Sequence, residues 1–338
     1  NAGANITTGA SGTFYVQSGV FNQEARTITP GSSGTLQIGS TGVLCLGGTT
    51  GSTNANCLSG ASQTVAQTMP AYSVFTFDAA STVRYLSDNN TTISNTPTYG
   101  NLEFKPKLVS TSYTYTFGGA VSIAGDFVIN PDESGAVTPR LTVNPAGKIT
   151  LSNAAKTTTI TATNAALSTL DLDPGADYDL ETGFLVIGTG GTLDASTSAS
   201  IITLTGTAGT LFVRIGTFTQ GSSDVQVTSA SGTPRLLLGA TTFHKLTINS
   251  AATVINMADA VTINNAAGAQ LYVQSGVFNA SGADITGPGS GNGTLQIDSV
   301  GTLCLGGTTN SSSATCNDGA SDTTTRSMPT FQTYTFNA

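Results

Sequence analysis

The octapeptide Tyr-Val-Gln-Ser-Gly-Val-Phe-Asn occurs twice, at 15–22 and again at 272–279. The residues after each copy repeat as well. Thr-Leu-Gln-Ile stands at 35–38 and 294–297, and Leu-Cys-Leu-Gly-Gly-Thr-Thr at 44–50 and 303–309. The stretch from Met69-Pro70 to Phe77 matches that from Met328-Pro329 to Phe336. Two distant stretches spelled this alike are copies of one cassette, so the fold has to be one that accommodates repetition. The sequence divides into an N-terminal cassette with a cysteine loop (1–79), a central part (80–268), and a C-terminal cassette (269–338) that repeats 12–79.

The repetition continues at finer grain. Thr98-Tyr99-Gly100-Asn101-Leu102-Glu103-Phe104 parallels Thr242-Phe243-His244-Lys245-Leu246-Thr247-Ile248. Smaller still is a glycine corner followed by an alternating run, as in Gly191-Thr192-Leu193, Gly209-Thr210-Leu211 and Gly293-Thr294-Leu295. Glycine permits the tight corner, and period-2 alternation is the mark of a strand with one buried face. Charged residues are only 9% of 338, against about 25% in an ordinary globular chain. Thr, Ser, Gly and Asn occupy the places of the helix formers. These features predict an all-β parallel β-solenoid of short coils, in which each coil buries its core only against its neighbours. Tandem β-sandwich domains are the alternative. They call for frequent hairpin dipeptides, of which Asn292-Gly293 and Asp318-Gly319 are the two present.

The charge balance narrows the function classes. Eleven Lys and Arg against nineteen Asp and Glu give a net charge of −8. No basic field exists to displace counterions from phosphates, which excludes nucleic acid as a partner. No run approaches the ~18 apolar residues of a membrane span. The chain starts at Asn1 rather than Met and is read as a processed or partial chain.

The runs Thr98-Tyr99-Gly100-Asn101-Leu102, Gly118-Gly119-Ala120-Val121-Ser122-Ile123-Ala124-Gly125-Asp126-Phe127-Val128-Ile129 and Gly191-Thr192-Leu193-Asp194-Ala195 resemble the degenerate repeats of secreted bacterial surface proteins of the adhesin and extracellular-fibre type. That resemblance touches most of the chain through short motifs. It implies a β-solenoid at the cell surface or outside the cell, and no particular ligand.

Eleven residues separate Cys45 from Cys57, and eleven separate Cys304 from Cys316 at the same cassette position. Zinc would need Cys-x-x-Cys spacing or nearby His. Two local disulfides, each worth about 3 kcal/mol by loop entropy, are the favoured reading, and inter-subunit cross-linking competes with it. Oxidised cysteine fits an extracellular location. Asp171, Asp173, Asp177, Asp179 and Glu181 alternate with Leu170, Leu172, Tyr178 and Leu180. They read as a solvated polar face, with a weak calcium site as the alternative cofactor assignment. The single His, His244, reads as an outward polar residue. No catalytic set is recognised, and the chain is read as a non-enzyme. Six Asn-x-Ser/Thr sequons (Asn5, Asn89, Asn90, Asn279, Asn292, Asn310) are glycosylation candidates.

Neither end reads as a cap. Asn1 and Ile6 at one end, and Tyr334 and Phe336 at the other, are the expected assembly residues, because an uncovered coil exposes strand edges and apolar core. The expected function is a structural subunit of an extracellular filament, fibre or sheath whose partner is a copy of itself, head-to-tail. A cell-surface adhesin that binds glycans through exposed aromatics such as Tyr113, Tyr115 and Tyr272 is the alternative. A polysaccharide-acting β-helix enzyme comes third.

Overall fold

A computed structural model of the chain describes residues 4–133, 138–197, 199–280, 282–289, 291–320, 323 and 325–337, with the backbone alone at 251–253. The described residues form strands, turns and bends and no helix, and parallel strands stack into a β-solenoid. Because the strand pairs within each unit are parallel, the sandwich alternative falls: sandwiches are built from antiparallel sheets. Two compact units are distinguished. The first comprises 1–153, 157–174 and 188–193; the second comprises 154–156, 175–187 and 194–338. The first cassette lies in the first unit and the second cassette in the second.

In the first unit the Thr35–Leu46 strand carries Thr13–Asn22 on one edge. On the other it carries Val74–Phe77 over its first half and Thr82–Tyr85 over its second. Asn101–Phe104 stacks on Thr82–Tyr85, and Phe127–Ile129 on Asn101–Phe104. The register puts Leu44, Val83, Leu102 and Phe127 in one column and Leu46, Tyr85, Phe104 and Ile129 in the next. All eight are fully buried. Alternation thus becomes two apolar columns, each coil covered by the coils above and below. A second stack, Thr91–Ile93, Tyr113–Phe117, Arg140–Asn144 and Leu167–Asp171, brings Tyr115 and Phe117 against Phe104 and Phe127. The buried phenols find partners. Tyr115 Oη donates to the Ser87 carbonyl at 2.6 Å, Tyr99 Oη donates to the Ser94 carbonyl at 2.7 Å, and Tyr85 Oη lies 3.3 Å from Tyr99 Oη.

The second unit contains a longer stack. Leu180, Ile202, Val225, Leu246, Leu271 and Leu295 follow one another in register, and Tyr334 ends the column. Beside it run Thr182, Leu204, Val227, Ile248, Val273 and Ile297, ended by Phe336.

Both cassettes bend their long strands at one place. The register shifts between Val16 and Ser18, and again between Val273 and Ser275. A Cβ on Gly42 would lie 2.3 Å from the Val16 carbonyl oxygen, and one on Gly301 2.2 Å from that of Val273. The corner brings backbone against backbone, and only glycine fits there.

Candidate assembly edges and cysteine loops

The repeated residues of the cassette turn out to be parts of one device. Cys45 and Cys57 are bonded, as are Cys304 and Cys316, each pair across a sequence separation of 12. Cys57 and Cys316 both adopt the left-handed conformation, at φ 62° and 55°. Such a conformation costs an L-residue roughly 1–2 kcal/mol, and the loop closure holds it. Inside the loops, Thr49 N donates to the Cys57 carbonyl at 2.9 Å and Thr308 N to that of Cys316 at 2.8 Å. Asparagine from the preceding coil anchors each loop: Asn22 Nδ2 donates to the Thr49 carbonyl at 3.0 Å, and Asn279 Nδ2 to that of Thr308 at 2.9 Å. A Cβ on Gly48 would lie 2.5 Å from Asn22 Oδ1, and one on Gly307 2.7 Å from Asn279 Oδ1. The last residue of the octapeptide and the Gly-Gly after the first cysteine therefore repeat for one reason. Sequence reasoning missed the role of these asparagines, though the identity of the octapeptide's final residue was the available signal. It also listed Asn279 as a sequon, and that side chain is fully buried.

Arg84, on the next coil, clamps the first loop by donating from Nη1 to the Ala55 carbonyl at 3.1 Å. Its Nε pairs with Glu103 at 2.5 Å, and Lys105 reaches the other Glu103 oxygen at 3.0 Å. Burial alone would raise the Glu103 carboxyl, but the two cations hold it below its ordinary value. Asp88 is the opposite case. It is buried, its Oδ1 has no hydrogen-bond partner among the described residues, and desolvation raises it despite a backbone bond from Val109. The signs follow by linkage. Glu103 contributes stability above the ordinary carboxylate range, lost as pH falls through its lowered folded value. Asp88 contributes below that range, lost as pH rises through its raised folded value. Glu103→Gln is therefore expected to lower the thermal midpoint at pH 7 and to lower it less at pH 3. Asp88→Asn is expected to raise the midpoint at pH 7. Calorimetry at the two pH values checks both, and shifts of the reverse sign would overturn the assignment.

The acidic stretch is not gathered into a cluster. Leu170, Leu172 and Leu180 are buried as the alternation predicts, and Tyr178 is half-buried. Asp171 Oδ1 accepts from Asp173 N at 3.1 Å, and Asp179 Oδ1 from Ile201 N at 2.8 Å. These are turn and strand-entry roles. Glu181 lies half-buried in the Leu180–Thr182 strand and Asp177 is exposed. Asp171 and Asp173 belong to the first unit and Asp177, Asp179 and Glu181 to the second. Among the described residues no three His, Cys, Asp or Glu side chains are grouped so as to hold a metal ion.

Two expectations about surface residues are corrected. His244 is only 7% exposed, with Nδ1 3.3 Å from Asn264 Oδ1 at the end of the Thr241–Phe243 strand. It is an inward corner residue and not an outward polar one. Tyr115 is fully buried in the aromatic core and Tyr113 is half-buried. Tyr272, in the other unit, donates its hydroxyl to Asp298, whose carboxylate pushes the phenol up to about 12. The aromatic row of the adhesin reading loses its middle member.

The outermost strands of the stacks are paired on one edge. Among the described residues Thr13–Asn22 pairs only with Thr35–Leu46, and Thr333–Phe336 only with Thr294–Cys304. Ile6 is half-buried in the two-residue strand Ile6–Thr7, which pairs with Ile28–Thr29. Asn1 lies outside the described residues. Tyr334 and Phe336 are 43% and 58% exposed, although the residues below them in their columns are buried or half-buried. No described helix is long and apolar enough to cross a membrane. Compared with protein-family models, curated proteins and solved structures, the chain matches none.

Proposed function

We propose that the chain is a structural subunit of an extracellular filament, fibre or sheath, joined head-to-tail to copies of itself through the unpaired strand edges. One observation carries this reading. The same octapeptide is present twice, and its two copies are covered differently. At 272–279 it lies between Lys245–Asn256 and Thr294–Cys304, and Val277 is 7% exposed. At 15–22 the described pairing is with Thr35–Leu46 on one edge, and the equivalent Val20 is 39% exposed. An edge of unpaired peptide groups above apolar side chains is a template for another strand. Because the strands run parallel, a continuation of the stack joins unlike ends, which is a heterologous contact that builds open polymers. The paired cysteines fit an oxidising compartment outside the cytosol.

The test is electron microscopy of the purified 338-residue protein without reductant. Uniform unbranched threads are the expected result. Discrete monomers at the highest soluble concentration would overturn the proposal.

A further inference from the structure

We infer that the far edge of Val74–Phe77 is a docking site for a partner protein, one that offers an extended, uncharged segment as a further parallel strand. The site lies within the first unit, and the inference does not rest on the head-to-tail reading.

The parity of the ladder gives the first argument. Val74 N donates to the Gly34 carbonyl at 3.2 Å, and Asp78 N to that of Ile38 at 3.0 Å. In a parallel ladder the peptide groups of successive residues face opposite sides, so the N–H and C=O of Phe75 and of Phe77 turn away from Thr35–Leu46. Among the described residues no hydrogen bond reaches those groups. The chain runs on past this edge without filling it. Thr82–Tyr85 lies on the second half of Thr35–Leu46 instead. The next coil lines the same cleft with Thr96-Pro97-Thr98. Pro97 has no N–H to give to a ladder, and about 520 Å³ stays open between the two segments.

The chemistry of the edge says what fits it. The free hydrogen-bonding groups are peptide groups, set two residues apart. That spacing, about 6.6 Å, is the repeat of an extended peptide. Phe75 and Phe77 are half-buried and Val74 is 49% exposed, whereas Leu36 and Ile38, opposite the two rings on the paired edge, are buried. No charged residue lines the cleft, so a charged occupant would lose hydration without gaining a partner. An apolar side chain over Phe75, with uncharged polar ones over Val74 and Thr76, continues the alternation of the stack. Unpaired peptide groups beside apolar side chains are what strand addition uses: main-chain bonds hold the segment, and alternate side chains select it.

The test uses the 338-residue protein and a fluorescent peptide, Gly-Thr-Leu-Gln-Ile-Gly, with photo-leucine in place of its Leu. This is the sequence of residues 34–39, from the strand that already pairs in parallel with Val74–Phe77 on its other edge. Fluorescence anisotropy is expected to show saturable binding, and mass spectrometry to place the photo-adduct on residues 73–77 or 96–98. A peptide N-methylated at its Gln, the residue set opposite Thr76, cannot donate to the Phe75 carbonyl. It is expected to bind about tenfold more weakly, the loss for one backbone acceptor left unpaired. Phe75→Pro removes the outward N–H and is expected to weaken the unmethylated peptide by a similar factor. If that variant folds badly, the N-methylated peptide on the parent protein decides. Absence of saturable binding, an adduct only elsewhere, or equal binding of the N-methylated peptide would each overturn the inference. Peptide binding that falls as the protein concentration rises would assign the edge to a second copy of this chain, and would overturn it too.

Discussion

Replacing Phe104 with Ala is expected to destabilise the first unit by about 3–5 kcal/mol, the range for deleting a buried aromatic side chain. The Phe104 ring is fully buried. It lies 5.3–5.7 Å, centroid to centroid, from the rings of Tyr85, Tyr115, Phe117 and Phe127. Three of the contacts are edge-on or T-shaped and the fourth is tilted, geometries that add about 0.5–1.5 kcal/mol beyond area burial. The site is poorly able to collapse around a missing ring. Its neighbours hang from strands fixed by parallel ladders, and the hydroxyls of Tyr85 and Tyr115 are tied to Tyr99 and Ser87. Denaturant unfolding followed by tyrosine fluorescence, which no Trp obscures, measures the loss. Phe336→Ala is the control in the monomer, since a side chain 58% exposed at the open end of its column should change stability by about 0.5 kcal/mol or less. A loss below about 1 kcal/mol at Phe104 would contradict the packing described here.

Opening one disulfide is the second large effect. Cys45→Ser combined with Cys57→Ser is expected to cost about 3 kcal/mol, from the loop entropy restored to the unfolded chain. The two loops are not equally protected. Cys45 and Cys57 are fully buried against Leu86, with Arg84 holding the loop from the next coil. Cys304 is only half-buried, and no described strand covers Gly301–Cys304 on that edge. A mild reductant under native conditions should therefore open Cys304–Cys316 first. Alkylation followed by mass spectrometry reads the order, and earlier labelling of Cys45 and Cys57 would contradict the assignment.

The solenoid was legible in the sequence because repetition, glycine corners and period-2 runs act at short range and agree with one another. The even cysteine spacing was legible for the same reason. The acidic stretch was half legible: alternation set Leu170, Leu172 and Leu180 inside, but spacing along the chain could not show that Asp171 and Asp179 accept from backbone amides. Tyr115 was misread because alternation defines two faces without saying which is covered. Tyr113, Tyr115 and Phe117 share a face, and only the neighbouring stack decides that burial deepens along it. His244 had no signal, since the parallel unit offers Gly100 at that place. Asn22 and Arg84 act across coils, at separations the linear pattern does not reveal.

The loop between Cys45 and Cys57 is also a point where the chain is insulated from itself. Its two ends are fixed by the bond between them and by Asn22 below, while the strands on either side, Thr35–Leu46 and Thr82–Tyr85, pair directly with each other. An exposed loop residue such as Thr53 can thus change in kind with little effect on the buried columns. The surface that each of the two loops presents and the continuity of the parallel ladders beneath it could therefore evolve separately.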